Sequence, residues 1–217
     1  MKIIALMLAV QLLFSCSNES QGNRPGATNP IVKGKAEEKP EADLLKITEK
    51  AEEALKFCAS KKLSTDFCIL IDMSLHSGIK RFFIWDFKTQ SVLKEYLVGH
   101  GCGSNPWSLD GSKDHPKFSN EDGSHLSSLG KYKLEGRGHS EWGINIKYLM
   151  HGLEDTNSNA LKRVIVFHSW DQMSDEEVFP KGSPEGWGCP TVSNTAMKEI
   201  DPMIRETGQP VLMWMYQ

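Results

Sequence analysis

The sequence predicts a mainly β fold with some α. Between about residue 65 and the C-terminus, short runs rich in aromatic and β-branched residues alternate with turn residues. Helical periodicity shows in only two places, over 41–62 and over 191–206. The first three strands are joined by short turns, the pattern of an antiparallel meander. With 217 residues the chain can bury one sizeable core and still carry accessory segments. The net charge is −3 with both signs interspersed and no basic stripe, which argues against a nucleic-acid partner.

Taken in order, residues 1–15 have a basic start and then an apolar run, Ile3 to Phe14, too short to span a bilayer comfortably. This reads as an export signal. Leu13-Phe14-Ser15-Cys16 resembles a bacterial lipobox, so Cys16 is expected to be lipidated, its acyl chains anchoring the protein at a membrane. The expectation is an exported bacterial lipoprotein of the cell envelope, on the periplasmic side. Residues 16–40 are rich in Ser, Asn, Gly, Pro and Lys and have too few apolar groups to pack, so they read as a flexible tether. The remainder, 41–217, reads as one domain.

That domain opens with an amphipathic helix over 41–62, in which Leu44, Leu45, Ile47, Ala51, Ala54, Leu55 and Cys58 recur at helical spacing. Phe67–Asp72 reads as a buried strand, Arg81–Asp86 as its neighbour and Val92–Val98 as a third. Gly99-His100-Gly101-Cys102-Gly103-Ser104 follows, its glycines marking unusual backbone or close approach. His100 is a candidate site-lining residue there, set against a plain turn hydrogen-bonding role. The polar loop from Asn105 to Leu126 is long enough to suggest function, and its DGSKD and NEDGS segments lack the ligand spacing of a calcium loop. Ser127 to Leu134 is a turn entering a strand, Trp142–Tyr148 alternates as another, and 155–162 is a short turn or helix. The chain closes with a strand over 210–216, after a helix that Pro202 is placed to break or kink.

The chemistry concentrates between 163 and 190. An apolar run, Val164 to Phe167, ends in His168, and a polar loop then leads to Gly186-Trp187-Gly188-Cys189-Pro190. Imidazole titrates near neutrality and can take a proton from a thiol, whose sulfur then attacks as nucleophile. Gly186 and Gly188 are expected to permit positive φ and close approach, so that N–H groups beside the cysteine converge on one oxygen. A helix beginning at Pro190 would bring its positive end to Cys189 and favour the thiolate. Cys58, Cys68 and Cys102 remain, and an oxidising compartment permits a disulfide among them without fixing the pairing. Neither Cys/His spacing of a structural zinc site nor an HExxH pattern occurs, so no metal or other cofactor is expected. The order His then Cys argues against a papain-type peptidase.

The blocks LVGHGCGS, KFSNEDGSHLSSLGKYKL, HGLEDTNSNALKRVIVFHS and GWGCP together resemble the murein L,D-transpeptidase catalytic domain family, YkuD-like, in its divergent Bacteroidetes-type branch. The resemblance runs from about residue 65 to the C-terminus. His168-Ser169 stands where the family has His-Gly, and Gly188-Cys189-Pro190 stands for the cysteine block. Gly186 and Trp187 replace the family's usual Ser and His, and neither Arg nor Asn follows the cysteine at the usual place. The resemblance implies a curved mixed sheet or β-sandwich, with an N-terminal helix and a short helix after Cys189. It implies peptidoglycan stem peptides as substrate, Cys189 as nucleophile and His168 as general base and acid. The Ser169 carbonyl would orient the imidazole, and the N–H groups of Gly188 and Cys189 would form the oxyanion hole. Ser127, Ser128 and Gly130, in the stretch that resembles a family turn, are expected near substrate with His100. Trp187 reads equally as a substrate cover or as core packing, and Arg163 as a solvated charge at a strand start. A non-catalytic peptidoglycan-binding lipoprotein on the same fold is the competing reading. The sequence sets no oligomeric state.

Overall fold

The structure, a computed structural model, describes residues 38–217. The expected signal peptide, the lipidation site Cys16 and the tether as far as residue 37 lie outside the described residues. Among the described residues, no helix is long and apolar enough to cross a membrane.

Helix α1, Leu44–Lys61, starts where the Asp43 carboxylate accepts from the Leu45 and Lys46 N–H groups, satisfying donors that a helix start leaves open. It stops at Lys62, whose backbone turns left-handed and returns its N–H to the Cys58 carbonyl. Its buried stripe is Ile47, Ala51, Ala54 and Cys58. Strands β1 (Phe67–Asp72), β2 (Phe82–Asp86) and β3 (Ser91–Tyr96) form the expected antiparallel meander. β4 (Gly130–His139) and β5 (Ile146–Gly152) pair antiparallel, β6 (Val166–Ser169) joins β5, and β7 (Thr191–Val192) runs parallel to β6. Helix α2 is Asn194–Glu206, and β8 is Val211–Tyr216.

The eight strands form one mixed sheet ordered β3-β2-β1-β8-β4-β5-β6-β7. The terminal strand β8 is central, parallel to β1 and antiparallel to β4. β1 alternates between two cores. Phe67, Ile69 and Ile71 face the cluster that includes Ala196, Met197 and Ile200 of α2, whereas Cys68 and Leu70 face Ile47, Ala51 and Ala54 of α1. Both faces being covered is why its sequence is a continuous apolar run.

The sheet curls strongly. Phe82 on β2 and Phe167 on β6 are five steps apart in the strand order, roughly 24 Å in a flat sheet at about 4.8 Å per strand. Their rings stack with centroids 5.7 Å apart. Just past β3, the Gly99 N–H donates to the Thr191 carbonyl on β7 at 2.8 Å, tying one end of the sheet to the other. The curved mixed sheet, not a two-sheet sandwich, is thus the arrangement adopted.

Three sequence expectations are corrected. The strand read as 142–148 is β5 at 146–152, because Gly143 (φ +59°) and Asn145 (φ +61°) make 142–145 a turn, closed by Asn145 N–H to the Trp142 carbonyl. The strand read as 163–168 begins only at Val166. Val164 has φ +56°, costly for a β-branched residue, and Ile165 N–H bonds back to the Ala160 carbonyl. The helix read from 191 starts at Asn194, capped by Ser193, because Thr191 and Val192 pair with β6 instead. It continues through Pro202 to Glu206.

Candidate active site

β6 delivers His168 to the sheet end, and β7 starts just after Cys189. The parallel register places His168 opposite Thr191, so Cys189 enters two residues before that pair. His168 and Cys189 line one cleft of about 110 Å³.

His168 is buried, with Nδ1 2.9 Å from the Ser169 carbonyl oxygen. A carbonyl only accepts, so Nδ1 carries the proton and Nε2 is left as the basic nitrogen. Burial holds the imidazole below its ordinary value. The Ser169 carbonyl opposes that shift and Lys147 adds to it. The ring is therefore neutral at neutral pH. The Ser169 hydroxyl accepts from Ile144 N–H at 3.0 Å, tying the 142–145 turn to β6.

Cys189 is half-buried. Its Sγ accepts from the Val166 N–H at 3.4 Å and lies 3.9 Å from the Val164 carbonyl oxygen. The left-handed turn at Val164 is what directs that carbonyl at the thiol. Burial pushes the thiol above its ordinary range, more than the Val166 N–H, Arg163 and Lys147 draw it down. The helix dipole expected to favour the thiolate is displaced, since β7 separates Cys189 from the start of α2. Both shifts favour the uncharged forms, thiol and imidazole, at rest. Alkylation of Cys189 by iodoacetamide is therefore expected to be slower at pH 7 than that of an exposed cysteine and to climb past pH 9. A fast, flat rate below pH 7 would instead indicate a preformed thiolate–imidazolium pair.

The two glycines differ. Gly188 has φ +104°, and a Cβ there would lie 2.7 Å from the Leu126 carbonyl oxygen. Gly186 has no left-handed backbone, and a Cβ there would meet nothing within 4 Å, which corrects the expectation of positive φ and close approach at that glycine.

Of the residues expected near substrate, Trp187 lines the cleft and the others do not. Ser127 is fully buried, donating to the Gly188 carbonyl at 3.0 Å and accepting from Gly101 N–H at 3.1 Å. It braces the cysteine loop from behind. Ser128 donates to the Ser119 carbonyl, and Gly130 starts β4 against the turn at Glu154–Asn157. His100 is buried, with Nδ1 accepting from Arg81 Nη2 at 2.8 Å and Nε2 at 2.9 Å from the Ser112 hydroxyl. Burial and Arg81 hold it well below its ordinary range. Arg81 also donates to the carbonyls of Leu75 and Val98, and Glu185 accepts from Ser112. Both ring nitrogens of His100 are thus committed inside the fold. Arg163 is no free surface charge, since its guanidinium holds the carbonyls of Ser119 and Leu126 and the hydroxyls of Ser124 and Ser128. Cys58, Cys68 and Cys102 are buried free thiols, so no disulfide joins them. Burial pushes Cys58 up to about 12.

The cleft also contains residues that the sequence reading did not place. Trp107, Trp142 and Trp170 line it beside Trp187, so four of the chain's six tryptophans meet there. Thr191 lines it too, and its buried hydroxyl has no hydrogen-bond partner among the described residues. The four tryptophans come from separate segments, three in stretches read as loop and Trp142 at the head of a stretch read as strand, so nothing in the sequence groups them. Among the described residues, no group of three or more His, Cys, Asp and Glu side chains is placed to hold a metal.

Comparison with solved structures finds the helical cell shape determining protein Pgp2 from Campylobacter jejuni, at 11% identity and a TM-score of 0.41, covering 78% of this chain and 56% of that one. Its K307A mutant matches at 9% identity and a TM-score of 0.43, covering 78% and 55%. A structure described as the Ldtfm-avibactam carbamoyl enzyme matches at 15% identity and a TM-score of 0.39, covering 70% and 49%. This chain spans about half the length of each. No curated protein matches the sequence. The family model described as L,D-transpeptidase catalytic domain matches residues 38–214, and the chain belongs to that family.

Proposed function

We propose that the domain carries out cysteine-dependent acyl transfer on peptidoglycan stem peptides, as an L,D-transpeptidase or L,D-carboxypeptidase. The observation that carries this reading is the meeting of Cys189 and His168 in one cleft, with the imidazole held in a single tautomer by the Ser169 carbonyl. Family membership supports the substrate class.

In the proposed reaction, Cys189 Sγ attacks the amide carbonyl between the diamino acid and the terminal D-Ala of a tetrapeptide stem. His168 Nε2 takes the thiol proton as the C–S bond forms, which suits a thiol that is not ionised at rest. The N–H groups of Gly188 and Cys189 are the proposed donors to the oxyanion. The imidazolium then protonates the leaving amine of D-Ala as the C–N bond breaks, leaving a thioester. An amine of a second stem, or water, attacks the thioester. His168 takes the attacking group's proton and returns it to the sulfur. Lipidation at Cys16 would hold the domain at a membrane within reach of the wall, a proposal that rests on the sequence alone.

The test is incubation of the full chain with disaccharide-tetrapeptide muropeptides, wild type beside Cys189→Ala, with products read by mass spectrometry. Wild type is expected to release D-Ala or form cross-linked dimer, and the variant neither. Murein binding without turnover, by a folded wild type, would favour the non-catalytic binding lipoprotein.

A further inference from the structure

Three of the cleft's tryptophans are substantially exposed: Trp107 by 42%, Trp142 by 46% and Trp187 by 63%. They form a continuous row. Trp107 lies 6.1 Å from Trp142 and 6.3 Å from Trp187, centroid to centroid. The buried Trp170 backs the row at 5.3 Å from Trp107 and 6.2 Å from Trp142. His125 stacks on Trp187 at 5.4 Å and holds that ring in place. Three contiguous indoles facing solvent are an unusual use of apolar surface unless something covers them.

The chemistry of the lining narrows what covers them. No Lys, Arg, Asp or Glu among the described residues lines the cleft. A nucleobase could stack on indoles, but its phosphates would find no cation there. An ammonium group could pack on an exposed indole face, but no carboxylate among the described residues lines the cleft to complete its site. A cleft of about 110 Å³ is too narrow for a folded partner. What remains is an uncharged ring with one apolar face and polar edges.

We propose that the row Trp142–Trp107–Trp187 is a carbohydrate-stacking subsite that takes an uncharged hexopyranose ring of the glycan bearing the stem peptide. The assignment of that sugar to a peptidoglycan glycan rests on the acyl-transfer reading. Neighbouring rings of the row are tilted by 53° and 51°, so a sugar stacks its C–H face on one indole and meets the next at an angle. The row shares its cleft with Cys189, so a glycan-linked stem is the preferred donor over a free peptide.

Two readouts separate this proposal from that reading. In the first, tryptophan fluorescence of the full chain is titrated with a β-1,4-linked N-acetylglucosamine tetramer. Saturable quenching is expected, unchanged by added salt because no charges are involved. It should be retained in Cys189→Ala and weakened at least fivefold in Trp187→Ala and in Trp142→Ala, both exposed positions whose folding circular dichroism would check. No saturable change, or wild-type affinity in both tryptophan variants, overturns the subsite. So does salt-sensitive binding of a single-stranded oligonucleotide in place of the sugar. In the second, kcat/KM is compared for a disaccharide-tetrapeptide and the bare tetrapeptide. The subsite predicts at least a tenfold preference for the former, falling towards unity in Trp187→Ala. Equal kcat/KM for both in wild type overturns the subsite and leaves the acyl-transfer reading standing. Sugar binding with no turnover of either substrate overturns the acyl-transfer reading and leaves the subsite standing.

Discussion

Replacing His168 with alanine is expected to lower the rate of Cys189 acylation by about 10²–10⁴-fold, the usual range for loss of a positioned base. Burial keeps the Cys189 thiol protonated at rest, so attack depends on a base that removes the proton as the bond forms. The Ser169 carbonyl leaves His168 Nε2 free to be the proposed base. The pH profile follows with a definite sign. The imidazole must be unprotonated to act, and burial lowers its pKa. The acid limb of kcat/KM in wild type should therefore lie below pH 6.5, with activity lost as pH falls through the lowered value. In His168→Ala that limb should vanish, and the residual rate should rise with pH as the thiolate forms. A variant within tenfold of wild type, with the acid limb intact, would remove His168 from the mechanism.

The second large effect is expected at Gly188. A methyl group there faces both a φ of +104° and the Leu126 backbone oxygen at 2.7 Å, which cannot swing aside as a side chain can. Backbone strain of about 1–3 kcal/mol and a similar cost of overpacking put the loss for Gly188→Ala at about 2–6 kcal/mol. Relief of that strain by loop movement would take the Gly188 and Cys189 N–H groups away from the proposed oxyanion position, and kcat should fall by about 10²–10³-fold. Gly186→Ala is the internal comparison, since its methyl group enters open space and should leave thermal stability within about 0.5 kcal/mol of wild type. Urea unfolding of the two variants checks the contrast. Equal stability of both would show that the Gly188 backbone is not constrained as described.

How far the sequence could be read depended on how local the physics was. α1 and β1 were legible because their signals lie inside the segment, an i, i+4 stripe in one and an unbroken apolar run in the other. The curl of the sheet was not, because it depends on Phe82 meeting Phe167 and Gly99 meeting Thr191. The offset of β5 has a specific cause. Trp142, Ile144, Ile146 and Tyr148 alternate as in a strand, yet Gly143 and Asn145 bend the first half into a turn fixed partly by Ser169. His168 and Cys189 stood out because each sits beside a strong local signal, a strand end or a glycine. His100 stood out for the same kind of reason and proved to be an internal partner of Arg81. Trp107, Trp142 and Trp170 could not be joined to Cys189 from the sequence, because only the folded loops bring them to one cleft.

The most direct test of the central claim is intact-mass measurement of the full chain quenched in acid within seconds of mixing with tetrapeptide substrate, followed by peptide mapping. The expected result is a mass increase equal to the mass of the tetrapeptide less that of the released D-Ala. It should map to Cys189, be removed by hydroxylamine, and be absent from Cys189→Ala. Turnover with no adduct on Cys189, or an adduct that persists in Cys189→Ala, would contradict it.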